Sequence, residues 1–140
     1  MKTVFVIEDD TNLRMLYEEE FSDRGFHVVA SCGDKRAVPL IRETNPDLVV
    51  MEPRLKTCNG QDLLRAILST FPRIPVVICS VWACMPDRLM DCRARVDAFV
   101  LKSADWGPLY QVVQRAFRSH DSTGRTAMLK GNFEEHQLLQ

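Results

Sequence analysis

Residues 45–60 read NPDLVVMEPRLKTCNG. Leu48, Val49, Val50 and Met51 form an unbroken apolar run, introduced by Asn45-Pro46. The run is too short for a typical helix, and it suits a strand covered on both faces, as strands in parallel sheets are. It ends on a carboxylate, Glu52, followed at once by Pro53. A buried strand that delivers a charged side chain at its tip is the feature the rest of the chain has to explain.

Working outward, similar runs recur. Strands are predicted over 3–7 (TVFVI), 27–31 (HVVAS), 47–51, 75–79 (PVVIC) and 98–101 (AFVL). Between them lie helical patterns. Residues 11–24 carry Leu13, Leu16, Tyr17 and Phe21 at the spacing of one helical face, and Gly25 ends that helix. Residues 35–44 form a second predicted helix, capped by Asp34 and distorted in its first turns by Pro39. A third over 61–71 turns Leu64, Ile67, Leu68 and Phe71 to one side. A short helix is read at 86–93, and the last, over 106–118, turns Leu109, Val113, Ala116 and Phe117 inward.

Strands that alternate with helices through short connections imply a parallel sheet with helices on both faces. Right-handed crossovers leave few topologies. The expectation is an α/β, flavodoxin-like, doubly wound (βα)5 three-layer sandwich with sheet order 2-1-3-4-5. Residues 1–119 make up that domain, and residues 120–140 fall outside the pattern and are read as a flexible tail.

Composition narrows the function. The chain has 140 residues, 46% hydrophobic and 26% charged, which fits one soluble domain with its own core. Its net charge of −1 gives no electrostatic case for nucleic acid or an anionic membrane. No apolar run is long enough to span a bilayer, and MKTVFVIEDD turns acidic too early for a signal peptide. The five cysteines (Cys32, Cys58, Cys79, Cys84, Cys92) are odd in number and form no C-x-x-C pair. They read as reduced structural thiols, and the cytoplasm is the expected location.

In such a sheet, ligands sit outside the carboxyl ends of the strands. The first strand delivers Glu8, Asp9 and Asp10 there, the third Glu52, the fourth Ser80 and the fifth Lys102. Carboxylate oxygens suit Mg²⁺, a lysine balances their charge, and a serine can donate to an anion. An FMN site would want a first loop rich in Ser, Thr and Gly to hold phosphate, whereas EDDTN repels it.

At this point the chain resembles the receiver domain of the two-component response-regulator family, in the manner of the chemotaxis regulators. The segments VFVIEDDTNLR, NPDLVVMEPRLKTCNGQDLL, PVVICS and DAFVLK carry the resemblance. It implies phosphorelay signalling, in which a histidine kinase passes a phosphoryl group to an aspartate at the end of the third strand, beside Mg²⁺. Carried over by position, Glu8 and Asp9 fall on the metal-binding acids and Glu52 on the phosphoacceptor. Ser80 falls on the switch hydroxyl, Phe99 on the switch aromatic and Lys102 on the catalytic lysine. Gly60 matches the glycine that ends the loop after the acceptor, where a turn with positive φ is expected.

The departures from the family pattern shape the functional reading. Glu52 replaces the aspartate, and neither Asp47, at the wrong end of its strand, nor Asp62, in the next helix, can substitute. The extra methylene moves the carboxylate by roughly an ångström, and in-line transfer tolerates little misplacement. Val81 stands where a small residue is usual and narrows the approach, with Trp82 beside it as a lid. Ser103 replaces the proline after the lysine, Lys56 a loop proline and Arg95 a glycine. The expectation is a degenerate, phosphorylation-independent receiver rather than an enzyme. It would act as a protein-interaction module, with Glu52 paired to Lys102 and Phe99 turned inward. The alternative is a working phosphoacceptor using Glu52 with Mg²⁺. Metal bound by Glu8, Asp9 and Glu52 is expected to be weak, and no other cofactor is expected. The expected partner is a histidine kinase or a downstream signalling protein, with a second copy of the chain as a further candidate.

Other residues have two readings. Trp106 and Tyr110 fit a partner surface or the core equally. Asp87, Arg88, Asp91, Arg93 and Arg95 read first as a solvated face. Phe133, Leu138 and Leu139 could dock the tail.

Overall fold

The computed structural model of the chain describes residues 1–82 and 84–122. Its strands are β1 (Thr3–Ile7), β2 (His27–Ser31), β3 (Leu48–Met51), β4 (Val76–Ser80) and β5 (Ala98–Leu101). Its helices are α1 (Thr11–Asp23), α2 (Ala37–Thr44), α3 (Gly60–Thr70) and α4 (Gly107–Ser122), with a 3-10 segment at Asp87–Arg95 before β5. All strand pairs are parallel, in the order β2-β1-β3-β4-β5. The flavodoxin-like reading therefore stands.

Alternation along the strands explains their unbroken apolar runs. Phe5, Ile7, Val49, Met51, Val76, Ile78 and Phe99 pack towards α2, α3 and the 3-10 segment. Val4, Val6, Leu48, Val50, Val77, Cys79, Ala98 and Val100 pack towards α1 and α4. Both faces are dry, so the central strands are apolar except at their ends, at Thr3 and Ser80. Trp106 belongs to the second core. Its ring meets Tyr17 edge-on at 4.9 Å and Phe21 at 6.4 Å, so the core reading of this residue holds.

Several expectations change. Leu16 is 46% exposed and lies outside the buried face of α1, which is carried by Tyr17 and Phe21. One residue turns a helix by about 100°, so Leu16 and Tyr17 cannot both face the sheet squarely. Helix α2 begins at Ala37, not at residue 35, and Asp34 is not its N-cap. The later start places Pro39 in the first turn, where its missing N–H needs no intrahelical partner. The first intrahelical bond runs from Leu40 N–H to the Arg36 carbonyl at 3.0 Å. Asp34 instead accepts from Arg36, through its backbone N–H at 2.9 Å and its guanidinium at 2.7 Å. That guanidinium lowers the Asp34 carboxyl to about 2. Helix α4 runs to Ser122, past its predicted end at residue 118, and Phe133, Leu138 and Leu139 lie outside the described residues.

All five cysteines are free, and burial pushes the Cys79 thiol up to about 11. No helix among the described residues is long and apolar enough to cross a membrane.

Gly60 does not have positive φ; it is glycine for another reason. A Cβ at that position would lie 1.7 Å from the Pro53 carbonyl oxygen. The start of α3 is thus seated directly on the turn that follows β3, with the Asn59 side chain capping Gln61 and Asp62 N–H. Gly60→Ala is expected to destabilise the fold by on the order of 3 kcal/mol, because backbone and not a flexible side chain must move. Urea denaturation of the variant beside the parent checks this.

Candidate functional site

The sheet register sets the site. Ile7 lies opposite Met51, so the residues that follow, Glu8 and Glu52, emerge side by side. The ladder runs one step further, with Glu52 N–H on the Ile7 carbonyl at 3.0 Å and Glu8 N–H on the Ser31 carbonyl at 3.0 Å. Ser80 lies opposite Leu101, and Lys102 N–H donates to the Ser80 carbonyl at 2.7 Å. Four strand ends are thereby held in one rigid row.

Parity then sorts the side chains. Glu8, Glu52 and Lys102 continue the rows of Val6, Val50 and Val100, all on the α1 and α4 side. The Lys102 ammonium lies 2.7 Å from Glu8 Oε1 and 3.0 Å from Glu52 Oε1. Both carboxylates are almost fully buried, and the lysine is 20% exposed. The contact to Glu8 Oε1 is an ion pair off the hydrogen-bond line. The second oxygens are met by backbone: Asp10 N–H reaches Glu8 Oε2 at 3.1 Å, and Arg54 N–H reaches Glu52 Oε2 at 2.9 Å. Glu52 therefore has both oxygens engaged.

Ser80 has the opposite parity and is buried, and its hydroxyl oxygen accepts from Trp82 N–H at 3.2 Å. The register places it beside the lysine, but it does not join the Glu8–Lys102–Glu52 cluster. Phe99 is buried between the sheet and the 3-10 segment, with Met85, Leu89 and Cys92. Asp9 Oδ2 accepts from Lys56 N–H at 2.7 Å, which ties it to the loop after β3. Asp10 caps α1 by accepting from Leu13 N–H at 3.0 Å.

Glu8, Asp9, Asp10, Glu52 and Lys102 line an open cleft of about 780 Å³, together with Arg54, Lys56, Val81, Trp82 and Arg88 at its mouth. Val81 is 53% exposed there. The Arg88 guanidinium sits over the Trp82 ring at 5.7 Å. Arg88 therefore belongs to the mouth of the cleft and not to a plain solvated face. No local sequence pattern marks it, because the contact crosses a loop and depends on how the 3-10 segment is seated.

Burial pushes the Glu8 carboxyl above its ordinary value, against the lowering effect of Lys102. Burial also pulls the Lys102 ammonium down, but the combined attraction of Glu8 and Glu52 outweighs that and holds it above the usual lysine value. Among the described residues no three of His, Cys, Asp and Glu are grouped to hold a metal ion. Glu8 and Glu52 face the ammonium and Asp9 Oδ2 faces a backbone N–H, so Mg²⁺ would have to compete with Lys102 for the carboxylates.

The Lys102 pKa is raised, so its contribution to stability is fully present below its ordinary value of 10.5 and is lost only as pH rises through the folded value. Lys102→Met strands two buried carboxylates and is expected to cost on the order of 3 kcal/mol at pH 7. Glu8 is raised above 4.5, so the loss shrinks near pH 4, where its stranded carboxyl is protonated. Urea melts of parent and variant at the two pH values measure the difference.

Known proteins share this fold. The family model for the response regulator receiver domain matches residues 4–114. Regulatory protein AtoC of Escherichia coli is 25% identical over 115 residues, covering 82% of this chain and 25% of that protein. Chemotaxis protein CheY of Thermotoga maritima is 24% identical over 102 residues, covering 72% of this chain and 85% of that protein. The chain thus spans about a quarter of the Escherichia coli regulator and most of the chemotaxis protein. Among solved structures, Thermotoga maritima TrrA in complex with Mg²⁺-BeF superposes with a TM-score of 0.72 at 20% identity, over 82% of this chain and 98% of that one. TrrA in complex with the histidine kinase ThkA gives 0.72 at 21% identity, over 82% and 97%. This chain belongs to the response regulator receiver domain family of two-component signalling.

Proposed function

We propose that this receiver signals without accepting a phosphoryl group and acts as a protein-interaction module. The observation that carries the reading is the Lys102 ammonium set between Glu8 and Glu52 at 2.7 and 3.0 Å. Glu52 stands at the family's acceptor position with one oxygen on that ammonium and the other on Arg54 N–H. A nucleophile needs an oxygen free to attack and a clear line of approach. Here both oxygens are held, and Val81 and Trp82 stand at the mouth of the cleft.

The charge that a phosphorylated aspartate would bring is supplied in part by Glu52 itself, although one charge is less than the nearly double charge of a phosphate. The inward, buried position of Phe99 accords with a receiver held by that internal pair. Ser80 and Phe99 keep the switch roles their positions imply. Glu8, Asp9 and Glu52 bind Mg²⁺ weakly at best, in the millimolar range, about 4 kcal/mol. The partner is a protein of a two-component system in the cytoplasm, either a histidine kinase or a downstream signalling protein. Residues 1–119 are the interacting domain.

Acetyl phosphate with Mg²⁺ tests the reading. The parent protein is expected to gain no phosphoryl mass under quenched conditions in which a competent receiver does. Glu52→Asp together with Val81→Ala is expected to gain it, and Glu52→Asp alone far less. Trp82 fluorescence during a Mg²⁺ titration is expected to show no micromolar transition. Stoichiometric phosphorylation of Glu52 in the parent would instead establish the alternative, a working glutamate acceptor.

A further inference from the structure

The 3-10 segment Asp87–Arg95 is tied to α3 at its end by Arg95 Nη2, which donates to Ser69 Oγ at 3.3 Å, and at its middle by Arg65. Arg65 donates from Nε to Asp91 Oδ2 at 3.1 Å and from Nη2 to Asp91 Oδ1 at 3.1 Å. The same Nη2 donates to the Arg88 carbonyl at 2.6 Å. A planar guanidinium can make this fork and a lysine cannot. The hydrogen bonds from Arg65 also lower the Asp91 carboxyl. Beneath the fork, Leu89 and Cys92 are buried against the core that holds Phe99.

Arg65 therefore grips the backbone of the residue whose side chain covers Trp82. The Arg88 guanidinium lies over that ring at 5.7 Å, and both side chains line the mouth of the cleft above Glu52. We propose that Arg65 is a positioning residue for the mouth of the Glu52 cleft: by holding Asp91 and the Arg88 carbonyl it keeps Arg88 seated on Trp82, and that ring is reached freely by small solutes only when the fork opens. The device does not depend on whether Glu52 accepts a phosphoryl group. The side chains of Arg65 and Asp91 are 38% and 59% exposed, so the fork is open to competition from charged groups at the protein surface.

Fluorescence quenching of Trp82 tests this in the full chain. The sequence has two tryptophans, so Trp106→Phe makes Trp82 the single reporter, with circular dichroism to verify the fold. In that background Arg65→Gln and Asp91→Asn are each expected to raise the acrylamide quenching constant of Trp82 by about twofold or more. The double variant is expected to add little, because the two changes break one contact. Arg65→Lys keeps the charge but loses the fork, and is expected to resemble Arg65→Gln. Arg88→Gln removes the cover itself and is expected to give a similar rise. Hydrogen exchange is expected to quicken over residues 85–95 in the Arg65 variants and stay unchanged in α1. A merely structural Arg65 would lower the melting temperature without changing Trp82 quenching. If Arg88→Gln raises quenching while the Arg65 and Asp91 variants do not, Arg65 does not position the cover. If none of them raises it, Arg88 does not cover Trp82. Either result overturns the proposal.

Discussion

The Lys102 ammonium between Glu8 and Glu52 is the contact that the upper end of the domain depends on. Two carboxylates emerging side by side from a dry sheet would repel each other, and burial disfavours the charge on each. Neither can turn away, because the ladder bonds at Glu8 and Glu52 fix their backbones. The compensating charge has to come from outside the two strands. It comes from the far edge: β4 separates β5 from β3, so the lysine side chain must span about 10 Å of sheet to reach Glu52. A long, flexible stem can do this only if the carboxylates reach back. Glutamate at both positions, with one methylene more than aspartate, shortens that gap. Side-chain length at Glu52 is therefore matched to the lysine, whatever it does to phosphoryl chemistry.

Much of this could be read in the sequence because it follows from period and position. Unbroken apolar runs such as Leu48–Met51 report a sheet covered on both faces, and the residue after each run reports what stands at the carboxyl edge. That is enough to gather Glu8, Glu52 and Lys102 at one edge. What escaped was set by exclusion or by distance. Pro39 decides where α2 starts by what its ring cannot donate, not by where an acidic residue could cap. Gly60 is required by the Pro53 carbonyl, seven positions back in the chain but in contact in space. Leu16 matched a helical pattern by type and missed the buried face by angle. Arg65 and Asp91 lie 26 residues apart, with a strand and a loop between them, and no local pattern pairs them.

Ser80 shows how a residue can be placed correctly along the sequence and still not share in the charge cluster. Its neighbours in space are those expected of a fourth-strand end. The strand alternation, however, turns its side chain to the α3 side, and its hydroxyl accepts from Trp82 N–H. The hydroxyl therefore acts on the loop that carries Val81 and Trp82. The buried Phe99 ring has the same parity as Ile78 and packs in the same half of the core. Ser80 and Phe99 thus lie on the α3 side of the sheet, while the charged trio faces α1 and α4.

These contacts form a ring. Glu52 holds Arg54 N–H, which shapes the turn through Pro53. The Pro53 carbonyl seats Gly60 at the start of α3, and Arg65 on that helix grips Arg88 and Asp91. Arg88 covers Trp82, and Trp82 returns to the cleft above Glu52 and to Ser80 at the end of β4. Each link is a backbone hydrogen bond, a close backbone approach, a guanidinium fork or a ring contact, and so each has a definite geometry to lose. A change of charge at Glu52 acts first on the Arg54 N–H, and through it on a turn that cannot move without disturbing Gly60.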